Sequence, residues 1–278
     1  MNMKLMVAAA ATMASVLPVL GEETSSAKAL ADGAVLTLAF DDAANPLRDD
    51  FGQGKQLRVY KNAPSPLAVK DDAERGKVGY SDGSTFIWGT AEKKFSLTGL
   101  PDPKKEFTVA LWVRPEPSDT PQEILGWGHF GKTGIWKLEK AGLKANSFVR
   151  LFVDDMKTFG GAFHPQATGM VTSSFGKDLT ADGKWHFVAL VAEGRRVRIY
   201  VDDVSKVATG LREGKADAGD QQVSCVARNA NFTLLASPVS RKAYKGWLDD
   251  LIILPRAVSA DELAKIKDGS WKKRPSAD

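Results

Sequence analysis

Cysteine is all but absent: Cys225 is the only one in 278 residues. A single thiol closes no intramolecular disulfide and builds no thiolate metal cluster, so a small buried strand residue is the expected reading. Histidine is nearly as scarce. His129, His164 and His186 show no paired spacing such as H-x-x-x-H, which argues against a histidine-held zinc. Charge of one sign is missing too. The 38 basic and 34 acidic residues are interspersed and leave a formal +4, so there is no nucleic-acid footprint. The lysines of residues 130–144 are broken by Glu139 and read as a solvated face. There is no G-x-S-x-G elbow and no phosphate loop. No proline-rich linker divides the chain and no solenoid or propeller repeat recurs, so one domain is the simplest organisation.

Long apolar runs are missing after residue 20, so no membrane span is expected in the mature chain. The N-terminus itself reads as an export signal. Lys4 supplies the positive start, residues 5–20 form an alanine-rich apolar stretch, and Val19-Leu20-Gly21 offers small residues for cleavage. Residues 1–21 are therefore expected to be removed, residues 22–33 to form a short polar tether, and the mature protein to be secreted or periplasmic. The few cysteines suit a bacterial cell envelope.

What is present is strand after strand. Residues 182–204 read as a β-hairpin. The first arm, 185–191, is short, apolar and rich in aromatic and β-branched residues. In the second, Val197, Ile199 and Val201 alternate with Arg196, Arg198 and Tyr200, the period of two of a half-buried strand. Glu193-Gly194 supplies the turn. Further strands are expected at 34–40, 55–59, 66–69, 77–80, 84–88, 95–97, 107–113, 124–127, 134–138, 148–153, 170–173, 222–227, 231–236 and 247–254. Residues 158–176 read as a long glycine-rich loop around the 170–173 strand. Prolines 115 and 117 are expected to end the 107–113 strand. Near the C-terminus the period changes. Ser259-Ala260-Asp261-Glu262 is a capping box, Leu263 and Ile266 make one apolar stripe, and Gly269 falls where a left-handed cap belongs. Many short strands with glycine and proline turns predict an all-β fold, a sandwich or a barrel, with one short C-terminal helix. Trp112, Trp185, Phe187, Ile199 and Trp247 are expected in its core.

Four patches carry a resemblance: residues 36–42 (LTLAFDD), 107–115 (FTVALWVRP), 182–203 (DGKWHFVALV…VRIYVDD) and 246–263 (GWLDDLIILPRAVSADEL). In this order they resemble bacterial secreted laminin-G-like domains of the concanavalin A-like lectin/glucanase jelly-roll family. The resemblance implies a two-sheet antiparallel jelly-roll sandwich at 34–269 and leaves 270–278 as a polar tail. It implies binding of glycans or of cell-envelope proteins, with a few glycosidases and lyases among its relatives. The chain departs from the family at Asp202-Asp203, where Asp-Gly is usual; aspartate enters the left-handed region less readily than glycine.

A non-catalytic binding module, with glycan as the ligand class the resemblance favours, is thus one expectation. The others are a polysaccharide hydrolase or lyase, and a structural or adhesion module of the envelope. Sandwich-fold glucanases carry an E-x-D-x-x-E strand, which this chain lacks. Lyases of this fold combine His, Tyr and Arg, but no spacing assembles Arg150, His164 and Tyr200. Sugar rings stack on aromatics, so Trp88, Trp127, Trp136 and His164 are candidate ligand contacts, beside Arg150, Arg198 and Tyr200; taken singly, each tryptophan is more readily a core residue, and Arg198 and Tyr200 are more readily solvent-facing. Asp41 and Asp42 end the first strand, and Asp249 and Asp250 lie in the last. If those strands are neighbours, the four carboxylates could hold one structural calcium, as the resemblance also implies. The competing reading has them cap strands or pair with Arg and Lys.

Overall fold

The computed structural model describes residues 30–49, 51, 55–59, 66–90, 99–101, 105–128, 148–153, 159–164, 171–174, 182–193, 196–207, 231–235 and 243–272. The expected strands at 95–97, 134–138 and 222–227 lie outside the described residues, as do Cys225, His129, Trp136 and the export segment.

Two antiparallel sheets stack face to face. The first contains β1 (Leu36–Leu38), β3 (Ala68–Asp72), β4 (Gly76–Asp82), β6 (Phe107–Pro115), β11 (His186–Glu193), β12 (Arg196–Val201) and β14 (Lys245–Leu254). Its order is β12-β11-β6-β14-β4-β3, with β1 also on β14. The second contains β2 (Leu57–Val59), β5 (Ile87–Thr90), β7 (Gln122–Gly128), β8 (Phe148–Val153), β9 (Phe159–His164), β10 (Val171–Ser174) and β13 (Asn231–Leu234), in the order β10-β9-β8-β7-β13-β5-β2. Strand β9 falls where the sequence reads as loop: FGGAFH has two adjacent glycines and no clean alternation, yet it pairs with β8 along its length. Strand β6 runs on through Arg114 to Pro115, its last residue.

Alternation sorts the faces. Phe107, Val109, Leu111 and Val113 of β6, Val188 and Leu190 of β11 and Ile199 and Val201 of β12 meet Leu125, Trp127, Val149, Leu151, Phe232 and Leu234 between the sheets. A second apolar cluster lies on the outer face of the first sheet. There Ala110, Phe187, Ala189, Val191, Tyr200, Ile252 and Leu254 are covered by Leu263 and Ile266 of helix α1 (Ala260–Lys267), by Trp271 and by Leu30 and Ala31. Strand β11 is therefore buried on both sides, which is why its sequence is apolar without alternation. Two boundaries move accordingly. Leu30 and Ala31 belong to the packed body rather than to a tether. Trp271 is 1% exposed in a 3-10 turn, Ser270–Lys272, rather than in a frayed tail.

Helix α1 starts as its sequence demands: Ser259 accepts from the Glu262 N–H and Glu262 accepts from the Ser259 N–H. It ends with Gly269 at φ 75. Of the expected core residues, Ile199 joins the inter-sheet core and Phe187 the second cluster, and Trp185 is buried. Trp112 and Trp247, half-buried, are corrections. Trp112 and Trp247 take the outward-facing positions of β6 and β14, and Trp185 packs among cations on that same side.

Candidate functional site

The register of the second sheet gathers the sequence candidates onto one face. Trp88 of β5 is opposite Thr233 of β13, Thr233 opposite Gly126 of β7, Gly126 opposite Arg150 of β8, and Arg150 opposite Ala162 of β9, which faces Thr172 of β10. Their strand neighbours Ile87, Leu125, Leu151 and Leu234 belong to the inter-sheet core. The row Trp88–Thr233–Gly126–Arg150–Ala162–Thr172 therefore belongs to the outer face. A parallel row, Asn231–Gly128–Phe148–His164, lies beside it. Trp88 and Arg150 are three strand spacings apart, about 14 Å. The positions between and beyond them are threonine, glycine and alanine. Between the two, Thr233 is 3% exposed and donates its hydroxyl to the Gly126 carbonyl at 3.3 Å, so the middle of the row is buried.

Trp127 is a correction. It is on the inner face, fully buried, donating its Nε1–H to the Pro101 carbonyl at 3.0 Å and meeting the Phe107 ring edge-on at 5.3 Å. Tyr200 is a second. It is 8% exposed and packs in the helix-covered cluster, because the outer face of β12 is covered rather than solvated. Arg198, on the same strand, is paired with Glu193 at 2.6 Å. So Trp88, Arg150 and His164 share a face; Trp127, Arg198 and Tyr200 do not join them. Trp136 lies outside the described residues.

The four aspartates do come from neighbouring strands, since β1 pairs with β14. A bulge between Asp249 and Ile252, with Asp250 at φ 52, turns two consecutive residues toward the same cations. Arg75, in the β3–β4 turn, donates from Nε to Asp249 at 2.7 Å and from Nη2 to Asp250 at 2.8 Å. The Lys272 ammonium is 2.6 Å from the other Asp250 oxygen. Burial, then the charge of Asp250, pushes the Asp249 carboxyl up to about 7 against the pull of Arg75 and Lys272. Asp42 is exposed and accepts from the Ala44 N–H and the Asn45 amide. Asp41 is exposed as well. Calcium asks for six to eight oxygens. Here the buried oxygens face a guanidinium and an ammonium, so this donor set does not fit calcium: two of the chain's own cations occupy the place of the ion. The arginine–lysine reading holds for Asp249 and Asp250, while Asp42 caps the turn after the first strand.

One polar constellation has no sequence signature. His186 is held between Asp202, 2.9 Å from Nδ1, and Asp182, 3.1 Å from Nε2. With a carboxylate on each nitrogen both are donors, the protonated form. The Asp202 hydrogen bond raises the His186 pKa; burial opposes it and Asp182 adds to it. Burial works against the Asp182 carboxylate too, but the Lys184 N–H and His186 bring it down to about 2. Asp202, the aspartate of the family's Asp-Gly pair, stands at φ 58, whereas Asp203, in the glycine's place, does not take a positive φ. The Asp202 carboxylate accepts from the Phe187 N–H at 2.9 Å, and its carbonyl accepts from the Lys267 ammonium. These bonds hold aspartate in the left-handed region.

Two stacked antiparallel sheets with these crossings define a lectin-type jelly roll. The profile of the laminin-G class of the concanavalin A-like lectin/glucanases superfamily matches residues 89–264, and the chain belongs to that family. Domain 4 of AbnA, an extracellular arabinanase from Geobacillus stearothermophilus, solved with arabinotriose, is similar at 18% identity, with 84% of this chain, 97% of that one and a TM-score of 0.55. The botulinum neurotoxin serotype D ligand-binding domain, solved with N-acetylneuraminic acid, is similar at 13% identity, over 88% of this chain and 52% of that one, with a TM-score of 0.54. The binding domain of Paraclostridial Mosquitocidal Protein 1 gives 13%, 87%, 53% and 0.55. The chain thus spans about half the length of the toxin chains, and at these identities the likeness is one of fold. No curated protein matches. Among the described residues no helix is long and apolar enough to cross a membrane.

Proposed function

We propose that this chain is an exported, non-catalytic carbohydrate-binding module whose platform is the outer face of the second sheet. The observation that supports this is the register that puts Trp88, Arg150 and His164 on one face of the second sheet. Positions 88 and 150, about 14 Å apart, carry the residue types, a flat aromatic and a cation, that a short linear saccharide would use. The family and the two saccharide-bound neighbours support the same ligand class. A glycan array followed by calorimetry, with a reducing-sugar assay in parallel, tests it. The expected result is binding of at least one saccharide class without release of reducing ends. Trp88→Ala should weaken that binding about tenfold or more, since an aromatic stacking contact contributes on the order of 1–2 kcal/mol. Failure to retain any glycan, undiminished binding by Trp88→Ala, or product release would each overturn the reading.

A further inference from the structure

The outer face of the first sheet carries a second collection of rings. Its upper half is covered by α1 and Trp271. Its lower half is crossed by a lateral row that no described element covers: Arg114 of β6 is opposite Trp247 of β14, which is opposite Tyr80 of β4. Gly246, at φ 140, precedes the tryptophan. A Cβ there would lie 2.5 Å from the Arg114 carbonyl oxygen, so only glycine allows β14 to lie this close to β6. Trp247 and Tyr80 are half-buried, with ring centroids 4.6 Å apart and tilted by 52°.

Among the described residues the other cations around these rings are in ion pairs and Lys70 is not, though its charge reaches Glu116. Arg114, 4.4 Å from the Trp247 ring, pairs with Asp72 at 2.7 Å. Lys245 pairs with Glu116 at 2.8 Å, and Glu116 also accepts from the Tyr80 hydroxyl at 3.0 Å. Lys70, exposed on the edge strand β3, makes its described contacts with rings: 3.4 Å to the Tyr80 centroid and 5.2 Å to that of Trp247. An ammonium held over a half-exposed ring pair at a sheet edge is complementary to a ligand with one negative charge beside an apolar face. A sugar acid has that chemistry: its carboxylate bonds the ammonium while its C–H face lies on the rings.

We propose that Lys70, Tyr80 and Trp247 form a second saccharide site, separate from the Trp88 row and selective for carboxylate-bearing sugars. It rests on the chain being a saccharide-binding module but not on the location of the first platform. The occupant's negative charge is met by Lys70, and the polar rim by Glu116 and Lys245.

The test is calorimetric titration of the full chain with a galacturonate trimer, with the neutral galactose trimer, and with a glutamate oligomer of equal charge. The expected result is that the galacturonate binds and that Lys70→Ala weakens it about tenfold, the scale of a lost charged hydrogen bond. Trp88→Ala should leave it unchanged. Lys70→Arg should restore most of the affinity. Lys70 is exposed, so its variants should fold; Trp247→Leu, whose melting curve is recorded first, adds the ring contribution. Undiminished galacturonate binding by Lys70→Ala overturns the site, as does no galacturonate binding at all. Equal affinity for the glutamate oligomer overturns the sugar assignment in favour of a protein partner. Loss of galacturonate binding in Trp88→Ala with none in Lys70→Ala returns the ligand to the first platform, leaving the module reading standing and this site refuted.

Discussion

Over the upper half of its outer face the first sheet buries Ala110, Phe187, Ala189, Ile252 and Leu254 under α1, the 3-10 turn and the entry at Leu30. Over the lower half the corresponding positions carry Arg114, Trp247 and Tyr80, and cations take the place of the helix: Arg75 is 4.3 Å from the Trp112 ring, and Arg114 and Lys70 flank Trp247. The two halves meet at Trp112, whose Nε1–H donates to the Lys267 carbonyl at the end of α1 while its ring carries Arg75. β14 makes the division possible. Its first residues pair with β4 and its last with β1, and the bulge at Asp249–Asp250 separates them. One sheet thus has a face that is structural at one end and available at the other.

Truncating a ring in each half breaks the comparison most sharply. Trp271 is 1% exposed and closes the covered half, so Trp271→Ala is expected to cost about 3–5 kcal/mol, the range for a large aromatic removed from a core. Trp247 is half-buried between the exposed Lys70 and the partly exposed Arg114 and Tyr80, so Trp247→Ala is expected to cost only about 1–2 kcal/mol. Urea melts of the two variants measure both; equal losses would mean that the lower half is core as well. The junction comes next. Arg75 is 17% exposed, against 3% and 2% for its two aspartates. Removing it in Arg75→Met strands both carboxylates beside Lys272 and should cost about 3 kcal/mol, the lower end for breaking a buried pair. The wild-type melting temperature should be the same in calcium and in chelator; a rise with calcium would restore the ion to this place.

The smallest expected effect concerns pH. A raised His186 pKa stabilises the fold fully below its unfolded value of about 6.5, and this contribution is lost as pH rises through the higher folded value. Asp249, pushed up to about 7, gives a decline of the same sign between its ordinary carboxylate range and that value. The His186 contribution is therefore the difference in slope between wild type and His186→Gln, measured from pH 5 to 9. Parallel curves would remove the imidazolium from the account.

The architecture was legible wherever the information is local. The alternation of β12, the capping box at Ser259–Glu262 and the left-handed Gly269 are written in adjacent residues and appear as expected. Strand β9 was not, because its glycines erase the alternation and only pairing with β8 defines it. The faces of Trp112 and Trp247 were misread for a related reason: an aromatic at an outward position looks like core until the covering helix is seen to stop short of it. For the candidate site, Trp88, Arg150 and His164 were chosen by residue type, but their common face is a property of register across five strands. Trp127, one residue from Gly126, falls on the opposite side by the same rule. Arg75 carried no signal at all. Its two aspartates are 174 and 175 residues away in sequence, and in the β3–β4 turn an arginine among acidic residues reads as solvent-facing.

Leu30 and Trp271 share the cluster on the outer side of the first sheet. The described chain therefore begins and ends against the first sheet, on the side of the molecule opposite the row of Trp88, Arg150 and His164.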